Sequence, residues 1–209
     1  GSRNGARIIL RRFCYSWTVT VWERNNNYDL AMNIMGLDLS LTSAGYSING
    51  ETGTIAVKTK EAERLYDIRE DVINLVKSYD VNAVVIEGYA FAARNSQSHK
   101  IGELGGVIRL ALYEMDVPYV DVPPTCRAKF ATGKGNSSKT EVVSAVSART
   151  GIVWAGKGTD DMCDAWILEQ MGLTALGSPR YDWPKSSTDA LKTVDWSSLT
   201  RGSDNEHTE

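Results

Sequence analysis

Histidine is almost missing from this chain: His99 and His207 are the two among 209 residues. Cysteine is scarce as well. Cys14, Cys126 and Cys163 are widely spaced, and no pair forms a C-x-x-C. This composition excludes an ordinary zinc site and a disulfide framework. Free thiols suit a reducing cytoplasm, where the chain is expected to reside, and Cys163 reads as a small buried apolar residue on a helix. Long apolar runs are missing too. Nothing approaches the roughly 20 residues of a membrane span, and Ile8-Ile9-Leu10 is broken too soon by Arg11-Arg12 to serve as a signal peptide. A strong charge of either sign is the last absence. With 23 Lys+Arg against 26 Asp+Glu, the net charge is -3. That excludes a histone-like protein and, taken over the whole chain, runs against nucleic-acid binding.

What is present fits one domain with appendages. Residues 1–31 mix arginine, tryptophan and an Asn25-Asn26-Asn27 run, and read as an extension outside the domain. The alternation from Tyr15 to Trp22 leaves an added hairpin as a second reading. Residues 32–176 form the body. Residues 177–209 are polar, with Pro179 and Pro184, and read as a loosely ordered tail pinned by Trp183 or Trp196. Within the body, strands are predicted over 33–40, 45–49 and 54–59, the three forming an antiparallel meander. An amphipathic helix over 61–79 follows, then a fully buried strand over 82–87. A helix over 96–115 contains Gly105-Gly106, at a cost of about 1 kcal/mol per glycine, which predicts close packing or a partner's close approach there. A strand over 117–122, short helices over 125–131 and 139–150, and a helix over 159–176 complete an α/β domain. Its mixed five-stranded sheet has helices on both faces.

Acidic residues stand where apolar strands end. Asp38 closes Ile34-Met35-Gly36-Leu37, and Glu87 closes Val84-Val85-Ile86. A carboxylate in such a place is costly to ionise unless it is paired or metal-bound. Near the start of the last helix, Asp161 and Asp164 share a face at i, i+3, and Asp160 and Asp164 share one at i, i+4. Spacing alone leaves both pairs open, and Thr159 or Asp160 also suits an N-cap. Clustered carboxylates repel one another unless a cation neutralises them. Oxygen ligands without His or Cys point to magnesium or manganese. Four carboxylates from two strands and a helix suit a two-metal phosphodiester hydrolase.

The order of these motifs resembles the RuvC-type Holliday junction resolvases of the RNase H-like nuclease superfamily. The matching stretches are Met35 to Tyr46 around Asp38; Val85-Ile86-Glu87 with Phe91 and Arg94-Asn95; Gly102 to Val107; Thr132 to Lys139; and Asp161-x-x-Asp164-Ala165. The resemblance covers 32–176 and implies an RNase H-like fold, a homodimer and cleavage of four-way DNA junctions with two Mg2+ ions per site, Mn2+ substituting. It implies Asp38, Glu87, Asp161 and Asp164 as catalytic metal ligands, favouring Asp161 because Ala165 follows the last Asp. The compact form is similar to bacteriophage versions, which implies a bacterial cell or infected host as its setting. The loop Gly88 to Ala93 departs from the family, so Tyr89 and Phe91 both stand as candidates for stacking on an unpaired base.

Charge distribution agrees with a DNA partner. Residues 32–93 hold five Lys/Arg and nine Asp/Glu, whereas 94–157 hold nine and five. Lys139 is the leading candidate for a phosphate contact, with Arg94 and Lys134 beside it in the basic segment. A nuclease acting on other branched DNA is an alternative. So is an actin-like ATPase or sugar-kinase fragment, whose phosphate hairpin Gly36 to Gly45 would suit, although the chain is short for two such domains. A catalytically dead DNA-binding scaffold would not need all four carboxylates.

Overall fold

In a computed structural model, residues 32–88 and 96–200 are described. Five strands, β1 (Ile34–Asp38), β2 (Ala44–Ile48), β3 (Glu51–Ile55), β4 (Ala83–Glu87) and β5 (Tyr119–Val122), form one sheet in the order β3-β2-β1-β4-β5. The first three are antiparallel neighbours, while β4 and β5 run parallel to β1. The helices among the described residues are α1 (Glu61–Ser78), α2 (Ser96–Glu114), α3 (Pro124–Thr132), α4 (Lys139–Thr150), α5 (Thr159–Ala175), α6 (Lys185–Leu191) and α7 (Ser197–Thr200). This is the mixed, doubly covered sheet expected.

Period-two alternation sorts the strands onto two cores. Met35, Leu37, Val84 and Ile86 face α1 and α2, packing on Ile68, Val72, Leu104 and Ile108. Ile34, Ala83 and Val85 face the other way, onto Trp166, Ile167 and Met171 of α5. Gly36 lets α5 come close: a Cβ there would lie 1.9 Å from the Ala165 carbonyl oxygen. Gly45 does the same on β2, 2.0 Å from the Asp161 carbonyl oxygen. These two glycines set the depth at which the N-terminal half of α5 lies on the sheet.

Three expectations differ from the structure. The third strand is Glu51–Ile55 rather than 54–59, because Asn49 and Gly50 adopt φ 54 and 82. Two positive-φ residues make a two-residue hairpin turn, which forces Glu51 opposite Ile48. In α2, Gly105 is buried, but a Cβ on Gly106 would meet nothing within 4 Å, so packing within the chain does not explain that glycine. The segment after 176 is not loose through Thr200. Trp183, Ala190, Leu191 and Leu199 are buried in the α5-side core. Trp183 pins it, 4.3 Å from Phe130 by ring centroid, with the Arg149 guanidinium 5.6 Å from its ring centroid. Trp196 is half-buried and donates to the Leu191 carbonyl at 2.9 Å. The readings for residues 1–31, including Cys14, lie outside the described residues.

Candidate active site

Strand register accounts for the first two acids. Leu37 stands beside Ile86 in the parallel β1–β4 pair, so Asp38 and Glu87 are the next residues along, at the same end of both central strands. Alternation turns both onto the α5 side, where Asp164 comes down from the second turn of the helix. Ligand oxygens of Asp38, Glu87 and Asp164 all lie within 4.8 Å of one another. Burial and the neighbouring charges of Glu87 and Asp164 hold the Asp38 carboxyl well above the usual carboxylate range. Asp164 is pushed up to about 7, chiefly by burial, with the Glu87 charge adding to the rise and Arg127 opposing it.

Arg127 is the member of this centre that motif reasoning did not single out. Its Nε donates to Glu87 Oε2 at 2.5 Å and its Nη1 to Asp164 Oδ1. The guanidinium side chain is only 10% exposed. Position explains the reach. Glu87 pairs with Val122 at the end of β5, where Pro123 caps α3 and Pro124 opens it. Arg127 lies one turn into α3, on the side carrying buried Ala128 and Ala131.

The rest of the predicted set stands at the rim or beyond view. Asp161 lies one turn before Asp164 and outside the three-acid cluster, although its charge adds to the upward push on Asp38. Lys139 Nζ is 4.0 Å from Asp161 Oδ1 and 3.9 Å from Asp160 Oδ2, so the geometry leaves both aspartates beside the same cation. A capping box fixes the start of α4 just before Lys139: Ser138 Oγ accepts from Glu141 N–H, and Glu141 accepts from Ser138 N–H at 2.7 Å. Lys134 is exposed on the α3–α4 loop, where its N–H donates to Thr132 Oγ1 at 3.0 Å. Tyr89, Phe91 and Arg94 lie outside the described residues. Among the described residues no helix is long and apolar enough to cross a membrane.

The donor set fits a hard divalent cation. Among the described residues three carboxylates face one guanidinium, so their ionised forms are under-neutralised, and no His or Cys nitrogen or sulfur joins them as ligand. Buried Cys163 does not join them: burial first, then the Asp164 charge, pushes its thiol up to about 12.

The sequence and the fold are similar to those of known proteins. The sequence model of the family "Crossover junction endodeoxyribonuclease RuvC" matches residues 34–167. The RuvC of Prochlorococcus marinus strain NATL1A is 31% identical over 153 residues, covering 68% of this chain and 98% of the relative. That of Thermosipho melanesiensis is 32% identical over 122 residues, 53% of this chain and 78% of the relative. In fold, the chain is similar to Thermus thermophilus RuvC solved with a Holliday junction substrate, with a TM-score of 0.58 at 22% identity, covering 70% of this chain and 97% of that one.

Proposed function

Because the chain belongs to the RuvC family of crossover junction endodeoxyribonucleases, we propose that it is a magnesium-dependent endonuclease resolving four-way DNA junctions. The observation that carries this reading is the convergence of Asp38, Glu87 and Asp164 at one end of the two central strands. These three carboxylates hold the metal, and Asp161, one turn up α5, completes the ligand set from the rim. When bound, two Mg2+ ions, or Mn2+ in their place, supply activation of the attacking water and charge stabilisation at the leaving oxygen. The chain's own contribution is placement. β1, β4 and α5 fix the carboxylates without loop freedom, and the Ser138 cap holds Lys139 where a phosphate oxygen can meet it. Lys134, Arg94 and a stacking aromatic, Tyr89 or Phe91, extend the DNA contact along the basic segment.

The nuclease domain spans 32–176, with residues 177–200 packed on its α5-side core. A homodimer presents two such centres to the two strands to be cut. The exposed side of α2 supports this, with Gly106 open and Leu110 and Tyr113 exposed by 56% and 76%. Light scattering at micromolar concentration is expected to give the dimer mass. The functional test is nicking of a synthetic four-way junction with Mg2+ beside a flap and a linear duplex. The junction is expected to be cut in preference to both. Preference for the flap would move the assignment to another branched substrate, and no cleavage of any DNA would overturn it.

A further inference from the structure

Arg127 has no obvious place in a two-metal site, since it already occupies the ligand oxygens of Glu87 and Asp164. It cannot simply leave for solvent. Its backbone N–H is tied to the Pro123 carbonyl at 3.1 Å, and its side chain is nearly buried between β4 and α5. Resting on the nuclease reading above, we propose that Arg127 is a built-in counter-cation that couples metal loading to the arrival of the DNA phosphate. Without DNA it holds Glu87 and Asp164. When divalent cations take those oxygens, it turns its fork to the phosphodiester.

Charge and geometry both support the exchange. Asp38, Glu87, Asp160, Asp161 and Asp164 with Arg127 and Lys139 sum to three negative charges when ionised. Two divalent cations overshoot that sum by one positive charge, which a phosphodiester cancels. A net charge in a buried centre is strongly disfavoured, so Arg127 opposes the second ion until the phosphate is present. The guanidinium plane matches a carboxylate and a phosphate equally well. It has five N–H donors, of which the two bonds to Glu87 and Asp164 use one on Nε and one on Nη1. A passive ion pair would tie two elements together without altering how cations and DNA bind jointly.

The test is Mn2+ binding by calorimetry to the wild type, R127Q and R127K without DNA, and Ca2+ binding with and without a four-way junction. R127Q is expected to bind Mn2+ at least about tenfold more tightly than the wild type, since one charge at this range shifts a neighbouring equilibrium by one to three powers of ten. R127K, which keeps the charge, is expected to stay near the wild type. The junction is expected to raise Ca2+ affinity by at least about tenfold in the wild type and less in R127Q, with the reciprocal effect of Ca2+ on junction affinity. R127Q binding Mn2+ no more tightly than the wild type overturns the proposal. Should R127Q fail to fold, the wild type decides alone: equal Ca2+ affinity with and without junction overturns it. A wild type that cuts junctions while R127Q changes nothing refutes this inference only, whereas a wild type that neither binds Mn2+ nor cuts DNA refutes the nuclease reading itself.

Discussion

Asp164 and Glu169 lie on the same helix, and both carboxylates are buried against the sheet. Glu169 is surrounded by its own partners. Arg180 pairs with it at 2.9 Å, Ser47 Oγ donates to it, and the Gly50 N–H donates at 3.1 Å. Asp164 shares one guanidinium with Glu87 and stands within ligand reach of Asp38 as well. Burial raises the proton affinity of both groups. The difference lies in neutralisation: one carboxylate is answered by fixed protein groups, while the other sits among like charges that, among the described residues, Arg127 and the more distant Lys139 do not balance. A buried acid alone therefore marks nothing. A buried acid whose neighbours leave negative charge over marks a place for a cation.

The contrast can be broken first at the ligands. D38N and E87Q are expected to weaken Mn2+ binding by more than about a hundredfold, since even outer partners of a metal site are worth 10–100-fold. E169Q is expected to bind Mn2+ as the wild type does, and calorimetry on the three variants checks this. Next comes stability. E169A strands Arg180, Ser47 and the Gly50 N–H, and is expected to cost about 3 kcal/mol by urea unfolding, the low end for a broken buried pair because Arg180 reaches solvent.

A smaller effect at Asp164 is read by pH. The folded protein holds the Asp164 proton up to about 7, against an ordinary value of 3.8. The folded state thus binds this proton more tightly than the unfolded chain. The resulting stability is fully present below the ordinary value and is lost as pH rises through about 7. Metal-free protein is expected to lose a few degrees of Tm between about pH 4 and 7, and D164N is expected to flatten that decline. Differential scanning calorimetry without Mg2+ follows both curves. The smallest effect lies outside the pair. S138A removes the α4 capping box beside Lys139 and is expected to cost about 1 kcal/mol of stability, again read by urea unfolding.

How much of this was legible in the sequence follows from the physics of each element. Asp38 and Glu87 stood out because each ends an apolar strand, and a period of two is readable from a few residues. Asp164 was visible, but helix spacing left Asp160 and Asp161 as equal companions, and the structure sets both near Lys139. Arg127 stayed hidden because α3 spans only Pro124–Thr132, too short for a periodic pattern to show a charge on its inner face. The segment after 176 read as loose because its order rests on a few anchors, Trp183, Leu191 and Leu199, separated by polar residues. The third strand lies earlier than 54–59 because the turn at Asn49-Gly50, both at positive φ, decides its register rather than apolar alternation.

The most direct test of the central claim compares the two acids of α5 in one assay. Wild type, D164N and E169Q are incubated with Mg2+ and a synthetic four-way junction, and nicking is measured per folded molecule. The wild type and E169Q are expected to cut the junction while D164N leaves it intact. Equal cutting by D164N and the wild type would contradict the assignment of the Asp38–Glu87–Asp164 centre.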